Sequence, residues 1–206
     1  MFALVESGSI TKYISGNRGI TIGDIQYPKS IFTLWSASQR EAIGIYEVEM
    51  DISKKKDEEW YINTNVTYSF EGGKVTGAYG DATAKAHADT LFTAQDETDG
   101  KGTEGEVKSR GLKYNLIQTI KKQAAAELQN TDWYVIRTAD AGTAVPSAIT
   151  THRAAVRTKA AEMETAITNA NDTPALETLY TYVNTADEGD PVVMERPLGE
   201  LPTLEV

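Results

Sequence analysis

The amino-acid sequence predicts an α+β fold: a small antiparallel β-rich N-terminal region followed by a C-terminal helical hairpin. Three observations carry that prediction. Over roughly the first eighty residues, short apolar runs alternate with turns containing Gly and Ser. Beyond residue 106 the apolar positions change to a helical period. Between the two patterns lies an acidic, Gly-containing stretch from Asp96 to Glu106. The division that follows is a β-rich region with short helices over 1–94, a hinge over 95–106, a helical domain over 107–185 and an extended acidic, Pro-containing tail over 186–206.

The first predicted strands are Phe2-Ala3-Leu4-Val5 and Ile10-Thr11-Lys12-Tyr13-Ile14, joined through Glu6-Ser7-Gly8-Ser9, a hairpin signal. A second short pair falls at Gly19–Ile22 and Ile25–Tyr27. Ser36, with Gln39 three residues on, has the capping-box spacing for a short helix, and Gly44 is placed to end it. Large residues then occupy even positions (Trp60, Ile62, Val66, Tyr68, Phe70), the period of a half-buried strand. Glu71-Gly72-Gly73-Lys74 reads as a turn and Val75–Tyr79 as the returning partner. Asp81 reads as the cap of a helix reaching about Phe92.

Past the acidic stretch, Leu112, Leu116, Ile120, Ala124 and Leu128 mark one amphipathic helix. The run Trp133-Tyr134-Val135-Ile136 follows, then a turn ending at Val145-Pro146. Ser147 opens a second helix, in which Ile149, Val156, Met163 and Ala170 are seven apart, with Ala160 and Ile167 on the same stripe. Asn171-Asp172-Thr173-Pro174 breaks it, with Thr173 read as the cap and Pro174 at the first helical position. Leu176, Leu179, Tyr180 and Val183 line a third, shorter helix. The heptad spacing permits self-association without requiring it.

Composition narrows the function classes. Thirty acidic against twenty basic residues give a net charge of -10, the wrong sign for tracking phosphates, so no nucleic-acid partner is expected. The absence of cysteine removes disulfides, thiolate zinc sites and cysteine nucleophiles. No run approaches the roughly eighteen apolar residues of a membrane span, and Met1–Glu6 lacks the basic start of a signal peptide. The expectation is a soluble protein without membrane association, made in a cytosol-like compartment or built into a particle there.

Chemistry-bearing patterns are sparse. His87 and His152, both placed in helices by the prediction, lack metal-ligand spacing. Gly16-Asn17-Arg18-Gly19 and Gly72-Gly73-Lys74 match neither phosphate-binding fingerprint, and no nucleophile elbow occurs. In the acidic stretch Gly100 and Glu106 fall six apart, as in a calcium loop, but Gln95 stands where the first ligand should be. The stretch is therefore read as a hinge. The expectation is a non-enzyme with no cofactor and no metal.

One region stands out: Asp132-Trp133-Tyr134-Val135-Ile136-Arg137, then Val145-Pro146, then His152-Arg153-Ala154-Ala155-Val156-Arg157. Arg153 and Arg157 share a helix face and could pair with Asp132 or with a partner's acids, and Trp133 with Tyr134 could wedge a helix corner. Asp-Trp, a Pro-containing turn and a helix of form aromatic-Arg-x-x-Leu-Arg resemble the C-terminal segment of the tail-fibre assembly proteins (tail assembly chaperones) of tailed bacteriophages. The matching residues are Asp132, Trp133, Pro146, Arg153, Val156 and Arg157; His152 stands in place of the aromatic and Val156 in place of the leucine. Ile31–Ser36 through Arg40 and Ile43–Tyr46 also resemble the small leading domain of marine phage proteins of this kind. The resemblance implies a protein that holds a fibre tip during trimerisation, in the host cytoplasm, or stays bound to it on the virion. The alternative is a permanent component of the tail, whether fibre, baseplate or tail tip. On either reading the partner is a phage tail protein. The expected contact surface is the stripe Ile149, Val156, Met163 and Ile167, with Trp133, Tyr134, Arg153 and Arg157.

Overall fold

Strand β1 (Phe2–Glu6) and strand β2 (Ser9–Ile14) form an antiparallel hairpin closed by Ser7 and Gly8, at φ 51° and 77°. Two left-handed residues in a two-residue loop give a turn whose twist matches its strands. The computed structural model describes residues 1–204. Its contacts divide the chain into two units, Met1–Thr83 and a second beginning at Ala84. The first is β-rich and the second carries the long helices.

In the first unit β3 (Ile20–Ile22) and β4 (Ile25–Tyr27) form a second hairpin, followed by α1 (Ile31–Leu34) and α2 (Ala37–Glu41). The predicted capping box is present: Ser36 Oγ accepts from the Gln39 N–H at 3.3 Å, and Gln39 Oε1 from the Ser36 N–H at 2.9 Å. Then come β5 (Ile45–Asp51), β6 (Tyr61–Ile62), β7 (Thr67–Glu71) and β8 (Lys74–Ala78). The main sheet has the order β2-β1-β5-β8-β7. Strand β1 is buried on both faces. Leu4 joins Ile14, Ile20, Ile31, Phe32 and Ile45 on one, while Ala3 and Val5 join Val48 and Val75 on the other. Arg40, also buried, donates to the Trp35 carbonyl and lies over the Phe2 ring at 5.1 Å.

Two expectations for this unit are corrected. The sheet is mixed, not antiparallel throughout, because β5 and β8 run parallel, with Val48 opposite Val75. Within the β7–β8 hairpin, β8 carries the fully buried Val75 and so takes the inner place beside β5, which fixes its direction. The strand read over Trp60–Phe70 is broken. Asn63 bonds the Lys56 N–H and carbonyl with its side chain, at 2.9 and 2.8 Å, which holds a turn there and leaves Ile62 exposed.

The helix expected over 81–92 is also absent. That segment is extended, with β9 (Thr83–Ala84) and β10 (Thr90–Leu91). Its backbone is claimed by a later helix, α4 (Leu112–Gln129): the Ala86 and His87 carbonyls accept from the Leu112 and Lys113 N–H groups, both at 3.0 Å. Asp89 accepts from the Gly111 N–H at 2.8 Å and pairs with Arg110, and these two partners, the Gly111 N–H foremost, hold its carboxyl below the usual range. The donors of Gly111, Leu112 and Lys113 at the start of α4 are thereby satisfied from outside the helix.

Residues 95–106, read as a hinge, lie inside the second unit and carry local structure. Helix α3 (Ala94–Thr98) opens on a capping box between Thr93 and Asp96, and β10 pairs with β11 (Val107–Ser109) around it. Buried Asp96 takes Lys108 Nζ at 2.9 Å, and that bond, with the Thr93 N–H, lowers its pKa from 3.8 to about 2.

Three further helices follow α4: α5 (Asp132–Ala141), α6 (Ser147–Asn169) and α7 (Thr173–Tyr180). Helices α4 and α6 pack along one another. Lys113 Nζ donates to the Thr168 carbonyl at 2.8 Å, and Lys121 pairs with Glu164 at 3.5 Å. Asp172, not Thr173, caps α7, accepting from the Ala175 N–H at 2.8 Å. Thr173 is buried and donates instead to the Lys85 carbonyl at 2.6 Å. Chain beyond α7 forms a ribbon of β12 (Val183–Asn184) and β13 (Met194–Glu195), then returns to the helices, where Leu198 is buried and its N–H bonds the Leu179 carbonyl. The expected extended tail is thus folded on its own unit over much of its length; its last two residues, 205 and 206, lie outside the described residues.

Candidate partner-binding surface

Helix α6 carries the apolar stripe that the sequence singled out, and the structure turns it inward. Ile149, Val156, Met163 and Ile167 are each no more than 7% exposed. With Ile120 and Ala124 of α4 and Leu176 of α7, they are among the buried side chains of the helical unit. Each buried Ile, Val, Leu or Met side chain among them contributes about 1.5–3 kcal/mol by leaving water. A stripe used this way is core, and it is not available as a contact surface.

The motif residues around it do come together. Buried Arg153 on α6 donates to the Leu128 carbonyl at 2.7 Å and to Thr131 Oγ1 at 2.6 Å. Its other terminal nitrogen meets Asp132 at 2.8 Å. Leu128 lies in the last turn of α4, where carbonyls lack helical partners, and Asp132 is the first residue of α5. One guanidinium therefore ties the end of α4 and the start of α5 to α6, with twenty residues of sequence between Asp132 and Arg153. Arg157 is exposed, and among the described residues its guanidinium reaches only the Arg153 carbonyl, at 3.4 Å.

Anchored there, α5 presents its apolar side chains to solvent. None of its ten residues is buried. Trp133, Val135 and Ile136 are exposed, Ile136 at 67%. Trp133 and Tyr134 lie ring to ring at 3.9 Å, and the Arg137 guanidinium sits 4.7 and 5.3 Å from their centroids. Stacking of this kind holds the aromatics in fixed positions and lowers the entropy lost when a partner covers them. Trp133, Ile136 and Asp140, three and four residues apart, share one outward face.

Val135 and Ile136 are contact candidates that the sequence reading passed over, because strand-forming residues in a row hid a helix. Two signals could have found it: Asp132 at a helix start and Gly142 at its end, the latter with φ 68°. Of the two histidines only His152 lies in a helix, as expected. His87 is in the extended segment before α4, and His152 is buried with its Nε2 unpartnered among the described residues. Among the described residues no three His, Cys, Asp or Glu side chains are grouped to hold a metal ion, and no helix is long and apolar enough to cross a membrane. No family model, no curated protein and no solved structure matches this chain.

Proposed function

We propose that this chain works through protein contacts, without catalysis, as an assembly chaperone for the tail fibre of a tailed bacteriophage, binding the fibre protein with α5. The observation that carries the reading is the exposed pair Trp133 and Ile136, three residues apart on one face of a helix whose origin is fixed by the Arg153 clamp. Apolar anchors three residues apart on a helix suit an apolar groove. The resemblance of Asp132, Trp133, Pro146, Arg153, Val156 and Arg157 to the assembly-protein segment supplies the partner. Its two ion-pairing members, Asp132 and Arg153, meet at the base of α5. On this reading α4 and α6 are the arms of a helical hairpin, α5 is its connecting tip, and the protein acts in the host cytoplasm during assembly.

The test is co-expression with the fibre protein, followed by size-exclusion chromatography with light scattering. A stoichiometric complex and a higher soluble yield of fibre are expected. If the chain ignores the fibre and assembles alone into a defined multimer, it is a structural component of the tail, and the chaperone reading fails.

A further inference from the structure

We propose that the β12–β13 ribbon is a second docking element, one that adds a strand from the sheet edge of a basic partner protein. Neither strand has another strand beside it among the described residues. Val183 pairs with Glu195 and Asn184 with Met194. By alternation Val183 and Val193 share one face, while Tyr182, Val192 and Met194 share the other. All five are between 46% and 70% exposed. A two-stranded ribbon is marginal in water unless a further strand or a packed face supports it. This one has apolar side chains on both faces, and among the described residues each of them keeps about half or more of its surface in water, although Arg196 lies against Tyr182.

Backbone geometry favours strand addition over side-chain packing alone. The Val193 carbonyl accepts from the Thr185 N–H at 2.8 Å, and the Val193 N–H donates to Asn184 Oδ1 at 3.0 Å. With Val193 turned inward, the backbone groups of Val192 and Met194 point to the outer edge. An outward row of this kind is a template for another strand.

Charge selects the occupant. From Val183 to Glu195 there are four carboxylates (Asp187, Glu188, Asp190, Glu195) and no Lys or Arg. Arg196, the next residue, is engaged by Glu200 at 2.7 Å and lies against the Tyr180 and Tyr182 rings. A second copy added here would bring four more carboxylates to the same small sheet, and like charges across strands are destabilising. A strand of β-branched residues flanked by Lys or Arg matches both the apolar faces and the acids. The ribbon shares no residue with α5, so this inference stands or falls apart from the reading above.

The probe is a random dodecapeptide display library, panned on the full chain, with the selected peptides resynthesised and titrated by fluorescence anisotropy. Two variants accompany the wild type. Asp187→Asn/Glu188→Gln/Asp190→Asn removes charge. Val192→Pro removes an outward N–H at an edge position that tolerates proline. Enriched peptides are expected to alternate β-branched residues and end in Lys or Arg. Their affinity should fall at least about tenfold for either variant and weaken with salt, with circular dichroism unchanged. The proposal is overturned if nothing is enriched, if the peptides are acidic, or if Val192→Pro binds as well as wild type. It is equally overturned if the charge-stripped variant self-associates while wild type selects no basic peptide, since the acids would then be guards against self-pairing.

Discussion

Replacing Arg153 with Met removes the guanidinium and keeps most of the aliphatic stem, so the energy of the clamp can be worked out bond by bond. The side chain of Arg153 is 10% exposed and that of Asp132 52%. With one partner half in water, the ion pair contributes no more than about 1 kcal/mol. The bonds to the Leu128 carbonyl and Thr131 Oγ1 are nearly dry and contribute about 1.5 kcal/mol each. Leu128 is not orphaned by the change, because the Thr131 N–H and hydroxyl still reach its carbonyl at 3.1 and 2.9 Å. Arg153→Met should therefore destabilise the helical unit by about 2–4 kcal/mol, and Asp132→Asn by less than about 1 kcal/mol. Urea unfolding followed by far-ultraviolet circular dichroism reads this directly, since the long helices all belong to that unit. A loss within about 0.5 kcal/mol for Arg153→Met would place the guanidinium on an ordinary surface site. An Asp132→Asn effect as large as that of Arg153→Met would refute the partition between the bonds.

Three other outcomes follow from the same geometry. His152→Phe removes a buried nitrogen that has no partner among the described residues, and it should raise stability by about 1 kcal/mol in the same unfolding assay; a comparable loss would mean that the site cannot take the larger ring. Gly111→Ala would set a Cβ 2.3 Å from the Ala88 backbone carbonyl, so the start of α4 should separate from the 86–89 segment, and amide exchange at Leu112 and Lys113 should rise sharply; unchanged protection there would sink the capping argument. The carboxyl of Asp96 is held at about 2, below its usual 3.8, chiefly by Lys108. A depressed carboxylate adds stability that is present above the unfolded value and lost as pH falls toward 2. Lys108→Met should return the Asp96 pKa toward 3.8 and flatten that acid limb, as followed by NMR titration of the carboxyl; an unmoved titration would show that Lys108 is not the cause.

Local signals in the sequence proved reliable where turn chemistry or a helical period dictated them. Gly72 and Gly73 sit at φ 58° and 78° between β7 and β8, and Ser36 with Gln39 makes the predicted box. The mixed α+β class, strands first and helices after, was readable for the same reason. Non-local choices were not readable. The parallel partnership of β5 with β8 depends on which strand of a later hairpin is the more apolar, and no local window contains that comparison. The Ala-rich stretch from Ala82 to Ala88 has helix formers, yet its carbonyls are taken by α4, a tertiary override of a weak preference. The α6 stripe shows a different limit. Periodicity through Ile149, Val156, Met163 and Ile167 says that a face is buried but not by what, and here its own chain covers it. Conversely, Val135 and Ile136 look like strand residues, and their exposure on a helix shows only in three dimensions.

The central claim, that α5 is the contact with the fibre protein, is tested most directly by isothermal titration of purified fibre protein with the wild-type chain and with Ile136→Asp. Ile136 touches solvent over two-thirds of its surface, so the substitution leaves the fold intact while placing a carboxylate at the proposed interface. Binding by the wild type, weakened at least about tenfold in the variant, is the predicted result, since burying one such side chain is worth about 1.5–3 kcal/mol. Equal affinity for the two proteins, or no binding by the wild type, would contradict it.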